Sequence, residues 1–223
     1  MLYPLHRQET ENDKPNTAQN TRSERQMSRW LRALVLVLLA ASCGGGGGSG
    51  TAPRDLENAC AILDERPHYA RAFRAAERKW GVPMHVQMAT IYQESKFISD
   101  ARTPFRYALG VIPYGRQSSA FGYSQALDGT WDEYLEETGN RRARRDNIAD
   151  AVDFMGWYMS GSRRSLGLNM HDARNQYLAY HEGRTGFRRG TYNNKAWLVR
   201  VADDVGERSL VYQVQLATCR AAR

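Results

Sequence analysis

A carboxyl held at the end of an apolar helix can keep its proton near neutral pH. Gln93-Glu94-Ser95 sits in such a place, after Val86, Ala89, Ile91 and Tyr92 and before an irregular aromatic segment. Partial desolvation raises a carboxyl pKa, and a general acid needs that rise. Alone, a glutamate near a helix end is more often a solvated surface residue. Two later segments carry polar groups that can join it. Gly122-Tyr123-Ser124-Gln125 offers an amide that can bind a polar ligand or cap a following turn. Tyr177-Leu178-Ala179-Tyr180-His181-Glu182-Gly183 strings phenol, imidazole and carboxyl groups together.

The elements that must position these groups read as helices nearly throughout. Leu56, Ala59, Cys60 and Leu63 repeat at helical spacing. Pro67 opens a second helix with Tyr69, Phe73, Ala76 and Trp80 on one face, and Gly81 ends it. Pro83 starts a third, which ends near Glu94. Further helices are expected over 130–138, closed by Gly139-Asn140, and over 146–160, with Ile148, Val152, Met155, Trp157 and Met159 as core. Two more are expected over 172–180 and over 194–216, the last with Trp197, Val201 and Val205 in step. The exception is 103–118, where Pro104, Gly110, Pro113 and Gly115 punctuate aromatic and β-branched residues. This segment reads as a loop or short hairpin.

The 223 residues suit one ordinary domain with extensions. Lys and Arg number 31 against 24 Asp and Glu, a net charge of +7. That excess favours an anionic partner, and nucleic acid, anionic lipid and bacterial cell wall all qualify. The basic run Arg141-Arg142-Ala143-Arg144-Arg145 reads as a solvated face or a contact for anionic wall polymers or lipid. His68, His85, His171 and His181 have no metal-ligand spacing, and no second zinc-binding His follows His181-Glu182, so neither metal nor cofactor is expected.

Arg29 and Arg32 precede an apolar run, 33–41, that is too short to span a bilayer and ends in Ala40-Ala41-Ser42-Cys43. This is the pattern of a secretory signal, with Met27-Ser28-Arg29-Trp30 as a natural start. A cysteine directly after small residues resembles the bacterial lipoprotein cleavage box, with Ala40 where Leu is usual. The resemblance implies that Cys43 is lipidated and heads the mature chain. Gly44 rather than Asp after it implies the outer membrane, facing the periplasm. Six of the basic and four of the acidic residues precede Cys43, so the mature charge is +5. The expected organisation is a leader over 1–42, a lipidated cysteine and Gly-rich tether over 43–54, and one folded domain over 55–223. In an exported protein the isolated pair Cys60 and Cys219 reads as a disulfide; the alternative is two unrelated buried thiols.

The three polar segments, in order and local form, resemble the signature segments of the soluble lytic transglycosylase family. Glu94-Ser95 matches its Glu-Ser, Gly122 and Gln125 its Gly-x-x-Gln, and Ala179, Tyr180 and Gly183 its Ala-Tyr-Asn-Ala-Gly. Asp146-Asn147-Ile148 resembles the helix start before the third motif. The likeness spans about Met84 to Trp197. It implies an all-α, lysozyme-like fold, with 103–118 as an insertion near the active site. It also implies Glu94 as catalytic acid and then base, with Ser95 orienting it and Tyr180 hydrogen-bonding near it. Gln125, Tyr123, Gly122 and His181 would contact substrate. The implied partner is the glycan strand of peptidoglycan, with a membrane reached through the lipid and no nucleic acid. Protein partners are left open. Glu94 and Gln125 stand 31 positions apart, further than the family pattern, and His181 and Glu182 replace its usual Asn and Ala. Phe105, Tyr107, Tyr114 and Phe121 can stack on sugars or pack the insertion. Two rival readings remain: a hydrolase on the same fold, and a wall-binding lipoprotein without catalysis.

Overall fold

The computed structural model describes residues 50–220. The leader, Cys43 and residues 44–49 of the tether lie outside the described residues. In chain order the elements are α1 (Ala59–Glu65), α2 (Pro67–Trp80), α3 (Met84–Ser95), β1 (Phe105–Ala108), β2 (Ile112–Arg116), α4 (Asp128–Thr138), α5 (Ile148–Leu166), α6 (Ala173–Arg189), a 3-10 turn (Thr191–Asn194) and α7 (Ala196–Thr218). With seven helices and one two-stranded hairpin among the described residues, the chain has the all-α, lysozyme-like architecture that the sequence indicates.

Helix starts follow their capping residues. Asn58 Oδ1 accepts from the Cys60 and Ala61 amides, Asn147 Oδ1 from those of Ala149 and Asp150, and Asp172 from that of Asn175. Pro67 occupies the first turn of α2. Helix α3 is buried on nearly every side from Met84 to Ile91, and two of its buried polar side chains bond to backbone: Gln87 Nε2 donates to the Val82 carbonyl at 2.7 Å and Thr90 Oγ1 to the Val86 carbonyl at 2.9 Å. It runs through the centre of the domain, touching α2, α5, α6 and α7. Helix α2 packs along α5, and α7 packs on both α3 and α6.

Two apolar clusters result. The larger takes Tyr69, Phe73, Val86, Met88, Ile91, Val152, Met155, Leu198 and Val205, among others. The smaller is aromatic and gathers Trp131, Tyr134, Phe154, Trp157 and Tyr158, with Trp80 and Tyr180 joining the two. All five core positions expected in α5 are buried. The expectation for the last helix holds at Val205 and in part at Val201, which packs against the core, and fails at Trp197. Trp197 is 51% exposed, and the buried face runs through Leu198, Ala202, Val205, Ser209 and Tyr212. Cys60 and Cys219 form a disulfide, with Cα atoms 5.5 Å apart, that ties α1 to the end of α7.

The segment 103–118 is a hairpin. Phe105 pairs with Arg116 and Ala108 with Ile112, with a bulge between Arg106 and Tyr107, and every strand residue is exposed. Helix α6 runs past the expected 172–180, but Gly183 breaks it, at φ 76 and ψ 155. Only glycine visits that backbone region freely.

Candidate active site

Glu94 occupies the penultimate position of α3. The chain then turns sharply through two left-handed residues, Lys96 (φ 52) and Phe97 (φ 61). Non-glycine residues in that conformation are uncommon and cluster at functional sites. Phe97 is held there by full burial, stacked over Tyr69 at a centroid distance of 6.0 Å. The residue Glu94 keeps some surface open, while its carboxyl is surrounded by protein. Burial pushes its pKa up to about 7, against opposing pulls from a Tyr177 hydrogen bond and the Lys96 charge.

Tyr177 and Tyr180 lie three apart on α6, which puts them on one face of the helix. Both sit close enough to feel the Glu94 charge. Tyr177 carries the hydrogen bond to Glu94. Tyr180, expected in that role, donates instead to the Ser124 carbonyl at 2.6 Å. The hydroxyl thereby fastens α6 to the Gly122–Gln125 turn, and its ring packs edge-on to Tyr158. Burial holds both phenols well above their usual pKa, so both remain hydroxyl donors at neutral pH.

The turn itself is built by backbone contacts. The Gly122 amide donates to the Ala101 carbonyl at 3.0 Å, and that of Tyr123 to the Arg145 carbonyl at 3.2 Å. Gly122 has φ 79, and a Cβ on it would collide with the Arg145 carbonyl. The motif glycine is therefore required by close approach. Gln125 is left-handed too, at φ 48. Its Nε2 donates to the Ala101 and Gly122 carbonyls at 2.9 and 2.8 Å. The amide nitrogen is thus spent on the turn, as the capping alternative requires.

Two further expectations shift. Tyr123 is a core residue, 4% exposed, with its hydroxyl 3.0 Å from that of Tyr69. It packs under the turn and does not face solvent, so a direct substrate contact is corrected. Ser95 is buried, and its hydroxyl donates to the Ile91 carbonyl at 3.3 Å. It closes its own helix rather than orienting Glu94.

A cleft of about 250 Å³ brings Gln125, Leu127, Phe154, Tyr180, His181 and Glu182 together. His181 lies at its edge, its ring 5.3 Å from that of Trp197. The Glu182 side chain is buried and its carboxylate fully engaged. One oxygen accepts from Lys195 Nζ at 2.7 Å and faces His181 Nδ1 at 3.2 Å, and the other accepts from Thr191. Its burial alone would raise the pKa. The hydrogen bonds from Lys195, Thr191 and His181 outweigh burial and hold it down at about 2. Environments that push two carboxyls apart in this way separate an acid from a permanent anion.

Sequence reasoning did not single out Tyr177, although it stands inside the third motif one helical turn before Tyr180. Nor did it find Arg145 among the basic residues. That guanidinium donates to the Ser119 and Ala126 carbonyls and pairs with Asp128 at 2.7 Å, holding the motif turn from below. No group of three or more His, Cys, Asp or Glu that could hold a metal occurs among the described residues.

The arrangement offers one carboxyl of raised pKa at the end of the central helix, supported by a phenol, and a turn that a second phenol clamps. A family model described as Transglycosylase SLT domain matches residues 31–219, a span that contains every one of these groups. No curated protein matches the chain. The chain belongs to the transglycosylase SLT domain family, whose activity is of the lytic transglycosylase type on peptidoglycan.

Proposed function

We propose that the chain is a peptidoglycan lytic transglycosylase that uses Glu94 alone as its acid and base. Glu94 protonates the glycosidic oxygen between N-acetylmuramic acid and N-acetylglucosamine, and the C1–O bond breaks. The muramoyl C6 hydroxyl attacks C1, its proton passes to the Glu94 carboxylate, and the acid is regenerated. The product is a 1,6-anhydro sugar, and no water is consumed. A pKa near 7 suits a group that must give and take a proton at neutral pH. Tyr177 stabilises the carboxylate between the two transfers, while Gln125 and His181 border the cleft that takes sugar.

The observation that carries this reading is the contrast between the two carboxyls. A hydrolase of the usual design needs a second carboxylate to act as nucleophile or to activate water. Glu182, the spare carboxylate beside the cleft, has both oxygens occupied and a pKa of about 2. A base that weak and that fully bonded has little capacity to take a proton from water.

Placement at the outer membrane, facing the periplasm, with a lipid on Cys43, is part of the same proposal and rests on the leader pattern. Digestion of purified sacculi followed by mass spectrometry of the products tests the chemistry. Anhydromuramoyl ends are expected. Reducing ends would make the chain a hydrolase, and undiminished lysis by a Glu94→Gln variant would remove Glu94 from the reaction.

A further inference from the structure

The hairpin β1–β2 exposes more apolar surface than any catalytic part requires, and its residues are graded from tip to base. Leu109, Val111 and Ile112 at the tip are 92%, 75% and 56% exposed. The aromatic rings Tyr107 and Tyr114 stand behind them, also exposed. At the base the Arg116 guanidinium lies 4.1 Å over the Phe105 ring and donates to the Thr103 carbonyl, with Arg106 in the facing strand. Arg102 follows below, over the Phe121 ring. No Asp or Glu occurs from 101 to 127.

We infer that this hairpin docks on an anionic lipid bilayer. Aliphatic side chains foremost, aromatic rings behind them and cations at the base match the layers of a membrane interface, from acyl chain to headgroup. A glycan strand would be met by aromatic faces, and the most exposed residues here are aliphatic. The chain outside the described residues points the same way. It joins the domain at Gly50, where a Cβ would stand 3.3 Å from the Asp100 carboxyl, five residues before the hairpin begins. Cys43, the proposed lipidation site, is seven residues from Gly50, a length of chain that reaches at most about 25 Å from it. A lipid on Cys43 and the hairpin tip can therefore engage one bilayer together. The inference goes beyond the catalytic reading and does not depend on it.

The test uses the full chain with Cys43→Ser, which removes the acyl chain and leaves no free thiol beside the disulfide pair. An environment-sensitive fluorophore is placed at Val111→Cys, and at Ala75→Cys, an exposed position on α2, as a control. With phosphatidylglycerol-containing vesicles, a blue shift is expected at position 111 and none at 75. Leu109→Asp is expected to lower co-sedimentation with those vesicles by about tenfold or more while sacculus digestion and the thermal transition stay unchanged. The inference fails if position 111 shows no shift with vesicles. It also fails if sacculi alone produce the shift, which would assign the hairpin to glycan, or if raising protein concentration alone does, which would assign it to a second copy.

Discussion

Tyr177 donates a hydrogen bond to the Glu94 carboxyl, so the group whose pKa burial raises also has a built-in opponent to that rise. The two effects together leave the carboxyl near 7. The phenol does not set the proton in place. It tempers how tightly the proton is held and supports the anion once the proton has gone.

Removing that hydroxyl in Tyr177→Phe should therefore raise the Glu94 pKa further. The alkaline limb of the kcat/KM profile, which reports loss of the acid form, is expected to move up by about half to one unit. A fall in kcat of about tenfold should accompany it, because the carboxylate that must act as base loses its donor. A pH profile with an unmoved limb would make Tyr177 a packing residue only.

Glu94 also couples function to stability. Its folded pKa of about 7 lies above the ordinary glutamate value of 4.5, so the folded state holds this proton more tightly. The contribution is fully present below pH 4.5 and is lost as pH rises through 7. Glu94→Gln should abolish lysis yet gain stability relative to the parent at alkaline pH, by up to ~3 kcal/mol. Denaturant midpoints at pH 5 and pH 9 check this. The advantage should be present at 9 and small at 5.

Gly122→Ala should be costly out of proportion to one methyl group. The residue has φ 79 and its Cβ would strike the Arg145 carbonyl, so the turn that receives the Gln125 and Tyr180 hydrogen bonds must move. A loss of about 2 kcal/mol or more in a urea titration is expected, with a drop in kcat beyond what unfolding explains.

Most of the architecture was legible because its punctuation is local. Pro67, Gly81, Pro83 and Gly139 mark helix ends by their own backbone limits, and the α5 core positions repeat at helical spacing. The burial of the Glu94 carboxyl was not legible from its helix alone, since a glutamate there is more often solvated; the likeness of three separate segments to one family singled it out. What escaped depends on groups brought together from distant elements. Periodicity puts Tyr177 and Tyr180 on one face but cannot say which hydroxyl reaches Glu94. The Glu182–Lys195 ion pair joins α6 to the start of α7, and nothing in either segment announces the other. Gln125 turned inward because its backbone is left-handed, which a non-glycine residue rarely signals in sequence. Trp197 misled because a helical stripe through Val201 and Val205 includes it as readily as Leu198, and only packing against the core selects Leu198.

The link between Cys60 and Cys219 makes almost the whole domain a covalent ring, with 159 positions between its two sulfurs. A protease that cuts one exposed loop within that ring, the hairpin included, leaves both fragments joined, so a nicked enzyme can survive where an open chain would fall apart.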